Sequence, residues 1–599
     1  MEAPDRHAPL LRPNFEAGAV LIWTLVTGLG ILGTVEAGLS GAAPRILPIL
    51  TGLLILRWAP AALRRHRASG RLSRSELRYL RPEEISDWVR HHAGDLLLGD
   101  GFDWHLQHAG WAHELLTSGD ATRETGRCSW IHNLSEKTRD IIQPLRDTAG
   151  HTLIIGTTGS GKTRCFDLLI TQAILRGEAV IILDPKGDPD LLENARRASD
   201  LAARSRAFWM FHPAFPKDSI RLDPLGSFNR PSELSGRIAG AMPGHGPGDP
   251  FRAFGQRALD QIIQGFLFTG TRPTLVNIRR MLETGIEPLL EQALMRHFRQ
   301  IEGPRWRIAL KGTMAAKPGP LSLTTLIRHY RETVKRTAPH GVLDGLLSFH
   351  EHDRVHFMKM VASLLPVLTL LTTGPLESLI SPDPEDLDDP RPIRDLAGIL
   401  ERGEILYVGL DALSDGQSAA MLGSILLSDL AACAGERYNR PGPPKPVQVF
   451  IDEASEAVNE AAIQLLNKGR GAGFRLTLAT QTLADFTARL GNVARAYQIL
   501  GNVNTLIAFR VTDPDTQEYV TGNLPATRQK RIQRSQGLST VAKDPLELTQ
   551  TLSKQLIEEK GERFPPELLG QLPDLHYLGK LAGGRIVKGR IPILGDPTP

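Results

Sequence analysis

One eight-residue segment, Gly156-Thr157-Thr158-Gly159-Ser160-Gly161-Lys162-Thr163, constrains the fold of this chain more than any other part of it. The apolar run at 152–155 predicts a buried strand before the segment, and residues 164–175 have the period of a helix after it. The three glycines permit a tight turn in which successive backbone N–H groups face one anion. We therefore expect a strand, a phosphate-binding loop and a helix in this order.

The loop predicts the cofactors ATP and Mg²⁺. All of residues 156–163 are expected to surround the phosphates, assisted by the positive N-terminal end of the following helix. Lys162 should reach the β- and γ-phosphates, and the hydroxyl of Thr163 should hold Mg²⁺. The alternative is a glycine-rich turn that binds no nucleotide, and the strand before the loop and the helix after it disfavour that alternative.

A pair of carboxylates much later in the chain complements this loop. Four apolar residues among the five at 447–451 predict a buried parallel strand that ends at Asp452 and Glu453. Asp452 can complete the Mg²⁺ shell, and Glu453 can polarise an attacking water. Acidic strand ends are common by themselves, but beside a phosphate loop the pair indicates hydrolysis of a nucleoside triphosphate.

The spacing of further apolar runs predicts a doubly wound parallel sheet around the loop. A strand–helix–strand unit leads to the sequence Asp184-Pro185-Lys186-Gly187-Asp188 at a second strand end. Gln481, at the end of a later strand, is placed to interact with the γ-phosphate, or is a simple strand-end amide. The predicted strands are 152–155, 179–183, 404–410, 447–451, 475–481 and 505–510, the last of which is expected to close the sheet.

A long insertion separates Lys162 from Asp452, which lie 290 positions apart. Residues 225–375 are mostly of helical pattern and contain 19 Lys and Arg against 11 Asp and Glu, an excess of eight positive charges. One interpretation is a helical domain with a solvated basic face. The other is contact with a polyanion, favoured by neighbouring arginines and lysines along the insertion.

The N-terminal region predicts membrane insertion. Residues 17–35 are 19 uncharged residues, enough to cross a bilayer, and residues 46–56 span one only if a flanking arginine reaches the interface. A signal peptide is the competing interpretation of the first run. Arginines on both flanks place both ends in the cytoplasm. These are Arg6 and Arg12 before the runs, and Arg64, Arg65, Arg67, Arg71, Arg74, Arg78 and Arg81 after them.

Length and composition indicate a globular chain of several domains. The net charge of +4 is only mildly basic, and Cys128, Cys165 and Cys433 are too far apart for a disulfide framework or a zinc site, which fits a reducing compartment. The expected organisation is a transmembrane hairpin (1–63), a basic linker and pre-core segment (64–145), the first part of a nucleotide-binding domain (146–225), an inserted all-α domain (226–385), the second part of the nucleotide-binding domain (386–535) and a C-terminal extension (536–599).

The order of these features resembles the type IV coupling proteins of conjugation, the TraD/TraG-type ATPases, over residues 15–530. The apolar N-terminus, the phosphate loop, the Asp184–Asp188 strand end, the helical insertion and the Asp452–Glu453 pair carry the resemblance. Residues 99–108, with Gly99-Asp100-Gly101-Phe102-Asp103-Trp104, are similar to the pre-core motif of the TraD branch. Residues 468–474 resemble the arginine-bearing segment of the family, and 501–513 resemble its last core motif.

The resemblance implies an α/β fold: a RecA-like P-loop nucleotide-binding domain with an inserted all-α domain and an N-terminal two-helix transmembrane hairpin. Such proteins are similar to FtsK/HerA-type motors, in which six subunits ring a channel and nucleotide binds between subunits. Arg470 would then act on a neighbour's γ-phosphate as an arginine finger, beside the catalytic Lys162, Glu453 and Gln481. Arg475 is the rival for this task, and either arginine also fits a plain salt bridge.

The implied function is an ATP-driven coupling protein that recruits a relaxase–DNA complex and pumps single-stranded DNA into a type IV secretion channel. Expected partners are the DNA, the relaxase or relaxosome, inner-membrane components of the channel and other copies of the chain in a homo-hexamer. The protein is expected to be multi-pass in the bacterial inner membrane, with most of the chain cytoplasmic. The alternatives are an FtsK-like DNA translocase and a membrane receptor for secreted proteins. Residues 540–599 differ from the long acidic tail of some TraD proteins, which leaves the relaxosome partner open.

Overall fold

The computed structural model describes residues 15–36, 43–72, 77–118, 129–135, 137–242, 250–307, 310, 322–541 and 544–596. The expectations for Arg6, Arg12, Arg74 and Cys128 concern residues outside these ranges. Within them the predicted α/β fold is confirmed: helices cover both faces of one large sheet, a helical domain is inserted in the chain, and an apolar helix precedes the core.

The large sheet contains eleven strands among the described residues. They are β1 (Asp95–Asp103), β2 (Arg139–Pro144), β3 (Thr152–Ile155), β4 (Ala179–Asp184), β5 (Phe208–Phe211), β6 (Ile405–Gly409), β7 (Val447–Ile451), β8 (Phe474–Thr480), β9 (Thr505–Ala508), β10 (His576–Lys580) and β11 (Ile586–Arg590). Their order in the sheet is β2-β1-β11-β10-β9-β3-β8-β7-β4-β6-β5. Short pairs join Tyr79–Leu80 to Ile593–Leu594 and Arg221–Leu222 to Ile393–Arg394, and Thr527–Val541 forms an antiparallel ribbon with Asp544–Gly561.

The seven strands from β9 to β5 are parallel, with β3, β8, β7 and β4 at their centre. Successive side chains of a strand point to opposite faces, and here both faces are buried. Ile154, Ile182 and Phe450 pack into one apolar cluster, whereas Leu153 and Ile451 pack into the other. Burial on both faces is the reason why these strands are continuous apolar runs in the sequence, and why they were predictable.

The expectation that residues 505–510 close the sheet is wrong. Beyond β9 the sheet continues through β10, β11, β1 and β2, each antiparallel to the strand before it. Two of these strands come from the pre-core segment and two from the segment after residue 536. Strands β10 and β11 lack an unbroken apolar run because buried polar residues interrupt it, among them His576 and the fully buried Lys588.

The helices of the core lie on the two faces of the sheet. Helix α5, after the phosphate loop, buries Phe166 and Ile170 against the cluster that contains Ile154. The helices before the insertion and at the N-terminus are α1 (Phe15–Glu36), α2 (Ala43–Leu72), α3 (Pro82–His91), α4 (Leu106–Ser118), α5 (Lys162–Leu175) and α6 (Pro189–Leu201), with 3₁₀ turns at Ser129–Leu134, Leu145–Gly150 and Ser205–Ala207.

The insertion is helical, as predicted. Its helices are α7 (Pro231–Gly240), α8 (Pro250–Thr269), α9 (Leu275–Thr284), α10 (Glu287–Glu302), α11 (Leu323–His329), α12 (Lys335–Thr337), α13 (Gly341–His350), α14 (Arg354–Met360), α15 (Leu364–Leu371) and α16 (Pro375–Ile380), with a 3₁₀ turn at Gly303–Arg305 and a π turn at Tyr330–Val334. Its apolar core is continuous with the core on one face of the sheet.

The chain then returns to the sheet. The later helices are α17 (Leu396–Arg402), α18 (Gly416–Tyr438), α19 (Ala454–Ala457), α20 (Glu460–Lys468), α21 (Leu483–Leu490), α22 (Val493–Gly501), α23 (Pro514–Gly522) and α24 (Pro566–Gly570), with 3₁₀ turns at Gly469–Ala472 and Ala582–Gly584. A buried ion pair joins the insertion to this part of the core: Arg237 Nη1 of α7 lies 2.9 Å from Asp429 Oδ1 of α18.

Two helices among the described residues are long and apolar enough to cross a membrane: Phe15–Gly33 in α1, and Gly416–Tyr438, which is α18. Helices α14 and α15, which are bent relative to each other, reach this length and hydropathy only when they are taken together. Only 6% of the α1 window is buried, against 67% for α18, which is therefore a core helix. The second predicted run, 46–56, overlaps the shorter apolar stretch Pro48–Leu63 of α2. Helices α1 and α2 contact each other, and Thr27 Oγ1 donates a hydrogen bond to Thr51 Oγ1 at 2.7 Å.

Candidate nucleotide site

The phosphate loop connects β3 to α5, as the sequence predicts. Gly159 and Gly161 have φ angles of 75° and 117°, which glycine adopts without strain. A side chain on Gly161 would lie 3.0 Å from the Cα atom of Leu575, so this close approach also requires glycine. The Thr157 N–H donates to the carbonyl of Arg510 at 2.8 Å. The loop is thus held by the chain segments behind it.

Lys162 and Thr163 occupy the first turn of α5, with the loop open to solvent in front of them. Thr158 is exposed and Thr163 is half-buried, whereas Lys162 is buried. Lys162 Nζ donates to the carbonyl of Gly156 at 2.6 Å. Burial lowers the pKa of Lys162, and the nearby carboxylates, Glu453 first, only partly oppose this. An anion on the loop would therefore stabilise the charged form of this lysine.

Asp452 and Glu453 follow β7 at the same edge of the sheet. The backbone of Glu453 is left-handed, with φ 39° and ψ 56°, and its N–H donates to Asp452 Oδ1 at 2.9 Å. Such a conformation in a residue other than glycine costs on the order of 1–3 kcal/mol and is found at functional sites. The strained turn fixes the direction of both carboxylates.

Asp452 has the surroundings of a cation ligand. Its pKa is raised to about 6, first by burial and then by the neighbouring carboxylates of Glu453 and Asp184. Asp452 and the hydroxyl of Thr163 supply the hard oxygen donors that Mg²⁺ prefers, and a cation would offset this buried negative charge. In the described part of the chain, no group of three or more His, Cys, Asp or Glu side chains could hold a metal alone.

Glu453 is surrounded by three donors. Its Oε1 accepts hydrogen bonds from Lys186 Nζ at 2.7 Å and from Gln481 Nε2 at 3.0 Å, and it lies 3.8 Å from Lys162 Nζ. Burial opposes ionisation of this carboxyl group, but the three donors outweigh it and lower the pKa of Glu453. The structure therefore brings together the four residues Lys162, Asp452, Glu453 and Gln481 that the sequence predicted for one site.

Lys186 is a member of the site that sequence reasoning missed. The motif Asp184-Pro185-Lys186-Gly187-Asp188 was recognised as a strand end, without a task for its lysine. The buried Asp184 carboxylate accepts hydrogen bonds from the backbone N–H groups of Lys186, Gly187 and Asp188 at 3.0, 3.1 and 2.7 Å. This turn directs the Lys186 side chain from the end of β4 toward the end of the neighbouring strand β7. The signal was present: a lysine two residues after the buried strand that follows the phosphate-loop helix.

The two candidate arginines lie at the opposite edge of the sheet. Arg470 precedes β8, whose far end leads to Gln481, so seven extended residues, or about 20 Å, separate Arg470 from its own site. Arg470 is exposed and forms no ion pair with any residue that the structure describes. Arg475 is largely buried, and its Nη1 lies 3.5 Å from Glu178 Oε1. Arg475 thus has a partner within its own chain, whereas Arg470 has no ionic partner among the residues that the structure describes.

The segment before β10 supports the phosphate loop from behind, which the sequence did not predict. The Leu575 N–H donates to the carbonyl of Ser160 at 2.8 Å. Arg510, whose carbonyl accepts from Thr157, forms an ion pair of 2.7 Å with Asp574. Residues far from the loop in sequence therefore determine its conformation, and no local motif marks them.

Two family models match the sequence: "TraM recognition site of TraD and TraG" at residues 446–573 and "Type IV secretion-system coupling protein DNA-binding domain" at residues 140–190. No curated protein matches it. Among solved structures, the bacterial conjugative coupling protein TrwBdeltaN70 in an unbound form is 16% identical, covers 77% of this chain and 89% of its own, and has a TM-score of 0.50. Plasmid coupling protein TrwB with the ATP analogue ADPNP is 18% identical, with coverages of 76% and 89% and a TM-score of 0.51.

The matched segments coincide with the site. The phosphate loop lies within 140–190, and Asp452, Glu453 and Gln481 lie within 446–573. At identities this low the solved structures show the fold, and they agree with it over most of both chains. Site, fold and family models point the same way, and together they support a type IV coupling protein of the TraD/TraG type.

Proposed function

We propose that this coupling protein hydrolyses ATP to pump single-stranded DNA into a type IV secretion channel during conjugation, after recruiting a relaxase–DNA complex. The observation that carries the proposal is the convergence of Lys162, Asp452 and Glu453 beside an open phosphate loop. The solved complexes of TrwB with non-hydrolysable analogues of GTP and ATP support nucleotide binding on this fold.

The hydrolysis can be assigned to residues of this chain. The loop N–H groups and Lys162 would bind the phosphates, and Glu453 would orient the attacking water and accept its proton. Thr163 and Asp452 would hold Mg²⁺, which supplies charge neutralisation when it is bound. Gln481, hydrogen-bonded to Glu453, would keep the carboxylate aligned and interact with the terminal phosphate.

Arg470 would complete the site of a neighbouring subunit. Its distance of about 20 Å from its own loop excludes a task in the same subunit, and its exposure leaves it free for another copy of the chain. A guanidinium at the γ-phosphate stabilises the charge of the transition state. A homo-hexameric ring with nucleotide between subunits provides this arrangement, and it favours Arg470 over Arg475.

Cargo recognition is assigned to the basic insertion and to the region after residue 446. The insertion carries an excess of eight positive charges over residues 225–375. Its charge fits sequence-independent contact with the DNA of a relaxase complex. The matching family models name a DNA-binding domain and a TraM recognition site, which supports DNA and a relaxosome protein as partners.

The apolar N-terminus would anchor the protein. Helix α1 would cross the bacterial inner membrane, and α2 would cross it as the second helix of a hairpin, so that the core lies in the cytoplasm beside the inner-membrane components of the channel. The support is the exposed apolar surface of α1 and its contact with α2.

Turnover of ATP by the full-length protein in lipid nanodiscs, with and without single-stranded DNA over a series of salt concentrations, tests the proposal. We expect DNA to stimulate hydrolysis, and the stimulation to weaken as salt rises, because contacts with phosphates release counterions. Lys162→Ala should abolish turnover and conjugative transfer while membrane insertion persists.

Two outcomes would favour the alternatives, and a third would contradict the proposal. Hydrolysis that is indifferent to DNA would favour a receptor for secreted proteins, whose substrates would contact the same insertion. Translocation on duplex DNA in preference to single strands would favour an FtsK-like translocase. If DNA stimulated the wild-type ATPase but the Lys162→Ala variant still gave normal conjugative transfer, the role of ATP in transfer would be contradicted.

A further inference from the structure

A second lysine reaches the same carboxylate oxygen as the lysine of the phosphate loop. Lys186 Nζ lies 2.7 Å and Lys162 Nζ lies 3.8 Å from Glu453 Oε1. The two ammonium groups are therefore no farther apart than the sum of these two distances. If Lys162 binds the terminal phosphate of ATP, as the proposed function requires, Lys186 is within one side-chain movement of that phosphate.

The backbone of Lys186 is held independently of its ammonium group. Three successive N–H groups, beginning with that of Lys186, donate to the carboxylate of Asp184, and Tyr407 donates to the same carboxylate at 2.7 Å. Gly187 has φ 69°, and a side chain there would lie 2.5 Å from His212 Nε2. The turn thus keeps its shape whether or not Lys186 contacts Glu453.

The two lysines differ in freedom. The Lys186 side chain is 43% exposed, whereas that of Lys162 is 7% exposed and that of Glu453 is 8% exposed. A partly exposed lysine gains little net free energy from one ion pair, because water competes for it. Lys186 can therefore be rehydrated when it leaves Glu453, and Glu453 keeps Gln481 and Lys162 beside it. Lys162, in contrast, is confined to the loop.

Glu453 does not depend on Lys186 for its position. Its left-handed backbone and its hydrogen bond from Gln481 both remain when Lys186 departs. Departure would leave Oε1 with one donor fewer, and so with room to accept a hydrogen bond from water. A terminal phosphate offers Lys186 several anionic oxygens in exchange for a single shared carboxylate oxygen.

We propose that Lys186 is a further catalytic residue that exchanges partners in each ATP cycle: it binds Glu453 when no terminal phosphate is present, and it binds the γ-phosphate when ATP enters. The exchange frees the carboxylate to orient water only when there is a phosphate to attack. It also adds a positive charge where charge develops in the transition state. This inference rests on the proposed hydrolysis and assigns a task to a lysine that the sequence left without one.

The proposal predicts a difference between nucleotides, because only ATP carries the group that Lys186 would contact. For Lys186→Ala in the full-length protein, we expect affinity for a non-hydrolysable ATP analogue to fall about tenfold, and affinity for ADP to change less than about twofold. The kcat should fall by about 10- to 100-fold. Lys186→Arg should recover part of both losses, because it keeps the charge.

Fluorescence titration with labelled ADP and labelled ATP analogue, together with kcat and KM, measures these effects. Lys217→Ala is the matched control: this exposed lysine follows β5, at the same edge of the sheet but two strands from β4, and should behave as wild type. Lys186→Gln, which keeps a donor without the charge, provides a second variant if Lys186→Ala unfolds, and thermal unfolding identifies that case.

Equal loss of affinity for ADP and the ATP analogue would overturn the proposal, since it would show a purely structural lysine. Unchanged affinities and unchanged kcat in both the alanine and glutamine variants would overturn it as well. A wild-type protein that binds neither nucleotide would instead contradict the proposed function itself, so the two failures are distinguishable.

Discussion

Asp167 shows at the scale of one residue how the helix after the phosphate loop accommodates a charge. Its carboxylate is buried in α5, and its Oδ2 accepts hydrogen bonds from Arg164 at 3.2 Å and from Asn194 at 3.0 Å. Its Oδ1 is buried without a hydrogen-bond partner in the described structure. Burial raises the pKa of Asp167 to about 6, despite both donors. The folded protein therefore binds a proton here more tightly than the unfolded chain does.

This shift predicts a pH-dependent stability. Between about pH 4 and pH 6 the native state holds the proton that the unfolded state has lost. The contribution of Asp167 to the free energy of unfolding therefore falls as pH rises through this window and is constant above it. Asp167→Asn removes the charge, and we expect it to stabilise the protein at pH 8 by about 1–3 kcal/mol, with a smaller effect at pH 4.5. Thermal unfolding of both proteins at the two pH values measures this. A variant less stable at pH 8 would show that the Asn194 and Arg164 contacts outweigh the burial.

The residues of the site divide by how local their signal is. The glycines and Lys162 were predictable because one strand–loop–helix unit contains the whole phosphate-loop motif. The partnership of Lys186 with Glu453 was not, because it joins residues 267 positions apart and exists only since β4 and β7 are neighbours in the sheet. Leu575 behind Gly161 is a similar case. Long-range pairing of strands, rather than residue type, determines these contacts.

At the scale of elements, the joint between α7 and α18 connects the insertion to the core. The pair Arg237–Asp429 is almost completely buried, and the charge of each partner offsets the free energy that burying the other charge costs. Burial raises the pKa of Asp429 to about 7, which the nearby arginine only partly opposes. Neither residue stood out in the sequence, because a charge within a helical segment is most often on its solvated face.

Removing one partner of this pair should destabilise the protein more than removing both. We expect Arg237→Met to destabilise the protein by about 3–5 kcal/mol, because it leaves a buried carboxylate without compensation. The double variant Arg237→Met with Asp429→Leu should recover most of the loss. Unfolding midpoints in urea for the two single variants and the double variant test this. A double variant as unstable as the sum of the singles would show that the two residues do not interact.

The limits of sequence reasoning about elements lie at the edges of the sheet. The central parallel strands are buried on both faces and were found as apolar runs. Strands β10 and β11 escaped because buried polar groups interrupt them: Lys588 Nζ, for example, donates to the carbonyl of Gly589 at 3.0 Å inside the core. Helix α18 shows the converse, since its 23 residues are as apolar as a membrane span although it lies within the protein.

For the whole molecule, the sheet joins β1 and β2, which precede the phosphate loop, to β10 and β11, which lie more than 400 residues after the loop. Strand β11 pairs with β1, which precedes the phosphate loop by some fifty residues, and β10 pairs with β9. The boundary predicted at residue 535 would separate β10, β11 and Leu575 from the strands and the loop that they contact. The segment after 535 is therefore expected to be part of the nucleotide-binding core and to support the loop.

Truncation decides between these descriptions. We expect a chain that ends at residue 535 to aggregate or to unfold without cooperativity, because β1 loses its link to the sheet and Ser160 loses the donor at Leu575. A chain that ends at residue 596 should have the same thermal unfolding transition and the same affinity for an ATP analogue as the full-length protein. It controls for the loss of the terminus itself. Solubility, thermal unfolding and nucleotide titration of the two chains give the answer. If the shorter chain melted cooperatively and bound the analogue, the last strands would be an accessory extension, and the contacts behind the phosphate loop would be dispensable for its conformation.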